Sequence, residues 1–281
     1  MKDFSDEMAD GLKEVQLEIL DELDRICNEN GLRYYLAYGS LLGAVRHNGF
    51  IPWDDDIDVM MPYNDMVKLE AIFNDVADTD RFFYQSPATN QQYGLTINRI
   101  CRNNSLLIES TMGGRDVHHG IFIDIYPLFG AWKGKIARKR QIFVAMKRAL
   151  YLYSEPPKHK GRLMTFGSKV LLCIKSDNGK IKAYKKLTNK LAKVDFDTSK
   201  TICELSSNVQ AMKREYDREW FGDGKRHQFE NKEYMIPDVP VKILSVIYGD
   251  YMKLPPVEQR KYHHDYSIIK LPNGLEEKID L

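Results

Sequence analysis

Residues Asp54-Asp55-Asp56-Ile57-Asp58 put four carboxylates directly before the apolar run Val59-Met60-Met61. If this segment is extended, alternate side chains share a face, so Asp54, Asp56 and Asp58 point one way while Ile57 and Val59 enter the core. Like charges this close repel unless a cation sits between them. Oxygen-only ligands favour Mg²⁺ or Mn²⁺ over softer metals. A run of acids is more often a solvated loop, but a solvated loop has no need for Ile57, Val59 and Met60. The chain must therefore fold so that a buried strand opens on an acidic edge.

Two other segments fit that requirement. In Gly120-Ile121-Phe122-Ile123-Asp124-Ile125-Tyr126-Pro127, Asp124 is flanked by Ile123 and Ile125, where an unpaired charge would be costly. It is the candidate third carboxylate, and the competing reading is an Asp that caps a turn at a strand end. Upstream, Gly39-Ser40 ends a short strand candidate, Tyr34 to Tyr38, and opens a short helix, Leu41 to His47. Backbone N–H groups at such a turn suit a phosphate, although most Gly-Ser pairs are ordinary turns. Arg46 lies between the turn and the acids, placed either to hold a transferring phosphoryl group or to pair at the surface.

Apolar residues at Leu12, Val15, Ile19, Leu23 and Ile26 recur at helical spacing, which predicts a long amphipathic helix from Asp6 to Asn30 stopped by Gly31. Ile57 to Met61 is a strand candidate and Tyr63 to Val76 a helix. Further strands are expected at Phe82 to Gln85, Leu95 to Cys101, Leu106 to Glu109 and Ile121 to Tyr126. Beyond Trp132 come three predicted helices, Ile136 to Tyr153, Leu163 to Lys175 and Ile181 to Lys193. Strands at Thr201 to Leu205 and near Phe229 to Ile236 follow, then a helix at Pro240 to Tyr248. Helices and strands interleave only in the first half, so the expected class is mixed α/β (α+β), a small mixed sheet flanked by helices.

With 281 residues, 43% hydrophobic and a formal net charge of +1, the chain has enough apolar surface for a core and is no disordered tail. Its four cysteines, Cys27, Cys101, Cys173 and Cys203, never form close pairs, and a reduced cytoplasmic chain is expected. Neither a signal peptide nor a membrane span is visible. The neutral total hides segregation, because Lys133 to Lys193 holds 18 Lys and Arg against Glu155 and Asp177 alone. This block is either a solvated helical face or a contact for anionic membrane. It lacks the aromatic interleaving of a nucleic-acid platform, so no nucleic acid is expected.

The late segment, with Pro255-Pro256 stiffening a loop, collects Lys253, Arg260, His263 and His264. These suit a diphosphate or an anionic acceptor, or are simply surface. Trp53, Tyr126, Tyr248 and Tyr251 are numerous enough to line a pocket for a cationic headgroup, or to be core.

The stretch Tyr38 to Met61 contains G-S-x-L-G-x-x-R followed by I-P-W-D-D-D-I-D. It resembles the LicD family of phosphocholine transferases, related to the fukutin-related proteins. His119 to Pro127 agrees, as does Tyr248-Gly249-Asp250-Tyr251-Met252-Lys253-Leu254-Pro255-Pro256 with Arg260 and His263. The resemblance implies a nucleotidyltransferase-like fold with a catalytic core at 1–132, a basic helical insertion at 133–200 and a C-terminal part, 201–281, completing the same domain. By that resemblance Asp56 and Asp58 bind Mg²⁺ (or Mn²⁺), Asp124 completes the metal site and takes the acceptor's hydroxyl proton, and Asp54 supports them. Gly39, Ser40, Arg46, Trp53, Lys253, Arg260 and His263 would bind the donor.

The implied activity moves phosphocholine or a similar alcohol phosphate from CDP-choline, or another CDP-alcohol, to a sugar hydroxyl of a lipid-linked cell-surface glycan precursor. CMP leaves. The setting would be the cytoplasm, at the inner face of the membrane. A nucleotidyltransferase using a nucleoside triphosphate is the nearest alternative, and a non-catalytic glycan- or membrane-binding protein is the other.

Overall fold

The computed structural model describes residues 4–90, 92–109, 114–153, 172, 176–262 and 264–279. Helix α1 (Asp6–Asn30) begins where the Ser5 side chain accepts from the Met8 N–H, and it ends at Gly31, whose φ of 61° closes the helix in the left-handed region. Its apolar stripe, Leu12 to Ile26, is buried in the main core, as the spacing requires. Strand β1 (Tyr35–Leu36), α2 (Tyr38–His47), β2 (Asp58–Pro62) and α3 (Tyr63–Val76) follow. Next come β3 (Phe82–Gln85), β4 (Asn98–Arg102), β5 (Leu106–Glu109) and β6 (Phe122–Gly130).

The main sheet runs β1-β2-β6-β4-β3. β2 and β6 are parallel, in a register that sets Asp58 beside Asp124, whereas β4 runs antiparallel to β6 with Arg99 opposite Asp124. β6 is central and apolar, buried at every position except Tyr126, the pattern of a strand covered on both faces. Past Ile125 its free edge pairs with β7 (Thr201–Glu204), and β7 pairs in turn with β8 (Tyr216–Asp217). The mixed α/β class and the small mixed sheet are therefore as expected.

Helices α4 (Lys135–Tyr153) and α5 (Asp177–Leu191) share a second core with the far end of the sheet, in which Val144, Ala145 and Leu191 meet Phe129, Cys203 and Leu205. The short helix α6 (Val209–Met212) adds Met212 to it. A hairpin, β9 (Lys225–Phe229) and β10 (Lys232–Ile236), precedes α7 (Pro240–Tyr248). β11 (Tyr266–Lys270) pairs with β5 and with β12 (Glu276–Lys278) in a small separate sheet. Among the described residues no helix is long and apolar enough to cross a membrane.

The differences from the sequence reading are local. The extended run does not reach back through the acids: the chain turns at Pro52-Trp53 and β2 begins only at Asp58. Helix α2 starts at Tyr38, which takes Gly39 and Ser40 into its first turn. The single strand expected near Phe229 to Ile236 is a hairpin, because Glu230, with φ of 56°, reverses the chain. The helix expected at Leu163 to Lys175 lies outside the described residues, Leu172 apart.

Candidate functional site

Three neighbouring strands carry a row of charged side chains, Asp58 on β2, Asp124 on β6 and Arg99 on β4. Arg99 Nε donates to Asp124 Oδ1 at 2.6 Å and its Nη1 to Glu109 at 2.7 Å. Its guanidinium also covers the Phe122 ring at 3.5 Å. Above this row the turn from Pro52 folds Asp54, Asp55 and Asp56 over the N-terminus of β2. Asp54 is buried against α2 so closely that a Cβ on Gly39 would lie 2.4 Å from Asp54 Oδ2, which makes the glycine a condition of that approach. Ser40 Oγ accepts from the Asp58 N–H at 2.9 Å and so fixes the start of β2.

Burial is the first cause of what these acids do, and their mutual charge is the second. Asp54 is pushed up to about 8 by burial, then by Asp56 and Asp55. Asp56 is pushed up to about 6 by burial, with His264 opposing. Asp58 stands well above the carboxylate range through burial and the charges of Asp56, Asp124 and Asp54. Asp124 is raised by burial against the pull of Arg99. Asp58 Oδ1 and Asp55 Oδ2 are buried acceptors without a hydrogen-bond partner. A crowded all-oxygen set with orphaned acceptors fits a hard divalent cation.

His264, which the sequence reading grouped with the cationic late segment, instead meets the acids. Its Nδ1 is 2.9 Å from Asp55 Oδ1 and its Nε2 3.8 Å from Asp56 Oδ2. Among the described residues, Asp55, Asp56 and His264 bring one possible ligand atom each within 4.8 Å of one another, and Asp58 and Asp124 are not in that group. Burial opposes a charge on His264, but the hydrogen bond to Asp55 and the charges of Asp56, Asp55 and Asp124 raise it to about 9. In this arrangement it is a counter-ion to Asp55 and Asp56. Strand period identifies it, since His264 and Tyr266 alternate into β11 and their rings stack at 5.6 Å. His263 lies outside the described residues.

The other expected donor-binding residues divide. Arg260 lies 5.2 Å over the Trp53 ring, His47 meets the same ring edge-on at 6.4 Å, and Arg46 Nη1 donates to the Tyr251 carbonyl at 2.8 Å. This brings the late segment against α2 and the acidic turn. Partial burial and the charges of Asp58, Asp54 and Asp56 hold the nearby Tyr248 hydroxyl above its ordinary range. Lys253 is exposed on the loop after α7, where its backbone N–H donates to the Asp250 carbonyl. Tyr126 packs edge-on against Tyr38 at 5.1 Å, whose hydroxyl reaches Glu204 Oε2 at 3.2 Å. Tyr38 has φ of 42°, a strained conformation for a non-glycine residue, beside the acids.

Residues 31–144 match the family model described as LicD/FKTN/FKRP, nucleotidyltransferase domain. The chain is 26% identical over 269 residues to the lipopolysaccharide cholinephosphotransferase LicD of Haemophilus influenzae, covering 89% of this chain and 93% of that protein. Ribitol 5-phosphate transferase FKRP of Homo sapiens is 48% identical over 42 residues, 15% of this chain and 8% of that protein. An uncharacterized protein of Rickettsia prowazekii is 36% identical over 55 residues, 20% of this chain and 21% of that protein.

Proposed function

We propose that this chain, whose residues 31–144 carry a LicD-type nucleotidyltransferase domain, transfers an alcohol phosphate, phosphocholine first, from a CDP-alcohol to a sugar hydroxyl of a cell-surface glycan precursor. The observation that carries this reading is the pairing of Asp58 and Asp124 side by side on adjacent parallel strands, with Asp54 and Asp56 crowded above them. The name of the full-length relative, a cholinephosphotransferase acting on lipopolysaccharide, supports the donor and the acceptor class.

Asp56, Asp58 and Asp124 would hold Mg²⁺ or Mn²⁺, which when bound neutralises charge on the donor diphosphate. The chain's own residues do the rest. Arg46, bonded to the Tyr251 carbonyl, and Arg260, over the Trp53 ring, offer cationic contacts for the diphosphate. The acceptor oxygen attacks the phosphorus that bears the alcohol, the bond from that phosphorus to the CMP oxygen breaks, and CMP leaves. Arg99 occupies Asp124 Oδ1, which leaves Oδ2 as the oxygen that would meet the metal and the acceptor hydroxyl. His264 keeps Asp55 and Asp56 in place.

Incubating the protein with Mg²⁺ or Mn²⁺, a glycan acceptor and a panel of CDP-alcohols and nucleoside triphosphates tests the reading by ³¹P spectroscopy. Alcohol phosphate on the acceptor with CMP released is the expected result. Nucleotide on the acceptor with pyrophosphate released would establish a nucleotidyltransferase in its place.

A further inference from the structure

Helix α4 has two unlike faces. Arg138, Gln141, Val144, Ala145 and Arg148 are buried against the sheet end. On the opposite side Ile136 and Phe143, seven residues apart and therefore in line along the helix, are 79% and 63% exposed. Lys139 and Arg140 are exposed beside them, and Lys147, half-buried, continues the same stripe. On α5, Lys182, Lys185, Lys186 and Lys190 are exposed as well.

A solvated helix face has no use for two bare large apolar side chains among cations, and a protein partner's core would disfavour so many lysines. Apolar side chains that can enter an acyl boundary, ringed by amines that can meet phosphate headgroups, match an anionic lipid surface. We propose that the outward face of α4, flanked by the lysines of α5, docks this protein on anionic membrane, with Ile136 and Phe143 inserting and Lys139, Arg140 and Lys147 binding headgroups. The sequence showed the charge of this block but not the apolar stripe, because Ile136 and Phe143 look like core residues until the buried face of α4 is known.

A second exposed apolar group, Val246, Met252, Leu254 and Val257, lies on and after α7. It is the rival docking surface, but the same stretch mixes the acids Asp250 and Glu258 with Lys242, Lys253, Arg260 and Lys261, whereas helices α4 and α5 hold a single acid, Asp177.

Flotation with vesicles of phosphatidylcholine alone, or with phosphatidylglycerol added, tests the assignment without donor or acceptor, so it is independent of the proposed reaction. The protein should float with anionic vesicles at low salt and be released at high salt. Lys139→Ala with Arg140→Ala should weaken binding by about twenty-five-fold, at roughly five-fold for each basic residue near the surface. Ile136→Ser with Phe143→Ser should lose binding with the unfolding temperature unchanged, and Met252→Ser with Val257→Ser should leave it intact. Three results would overturn the proposal: no flotation at low salt, flotation of both α4 variants like the parent, or loss of flotation only in the Met252 and Val257 variant.

Discussion

At the scale of single residues the acids work against the fold. Asp58 is buried among Asp54, Asp56 and Asp124, and nothing donates to its Oδ1. Replacing it by Asn removes a repelled charge at nearly constant shape. Without added metal, Asp58→Asn should therefore raise stability, because a carboxyl that burial and its neighbours' charges disfavour is replaced by a neutral group. Turnover should meanwhile fall by roughly two to three orders of magnitude. Thermal unfolding and activity measured on one preparation check both, and a variant that loses stability together with activity would show that Asp58 is structural. The acids were legible in the sequence because charge interrupts apolar pattern at Asp54 to Asp58 and again at Asp124. Arg99 was not legible. Its partners Asp124 and Glu109 are brought to it by strand register and by the separate β5, which local pattern does not reveal.

At the scale of elements, α1 is tied to the rest by polar contacts as well as by its apolar stripe. Glu22 accepts from Arg25 through Nε at 2.9 Å and Nη2 at 2.8 Å, and from the Asp78 N–H at 2.9 Å beyond the end of α3. Burial raises the Glu22 carboxyl, but these donors and the charge of Arg25 outweigh it and hold it below its ordinary 4.5. A folded value below the unfolded one stabilises the protein above that pH, and the contribution is lost as pH falls through the folded value. Glu22→Gln should thus lower the urea midpoint at neutral pH and flatten its decline below about pH 4.5. Equal acid limbs in parent and variant would mean that Glu22 adds nothing to α1 docking. α1, α3 and the buried strands β2, β3 and β6 were foreseen because length and apolar periodicity mark them. The late strands β8, β9, β11 and β12 are short, partly exposed and poor in apolar alternation, so only their partners define them.

At the scale of the whole molecule, the segregated charge does two jobs, and neighbouring residues separate them. Arg138 lies inside the basic block but faces inward. It donates to the carbonyls of Met212, at 2.5 Å, and Arg214, at 3.2 Å, to Gln141 Oε1 at 3.0 Å and to Glu215 at 3.0 Å. Gln141 in turn donates to the Gly130 carbonyl and accepts from the Trp132 N–H. This network clamps α4 onto the end of β6 and onto the segment that follows β7. Lys139, one residue on, is exposed. Arg138→Met should cost about 3 kcal/mol, because buried carbonyls lose a charged donor and are left unpaired. Lys139→Met, away from any such network, should stay within about 0.5 kcal/mol of the parent. For a chain of this size the first change corresponds to a fall in unfolding temperature of roughly 6–12 °C. Parallel urea titrations of the two variants decide the matter. A similar loss for both would mean that the block acts on stability through its total charge, whereas a loss confined to Arg138 means that α4 is clamped by this network and its outward cations are free for another surface.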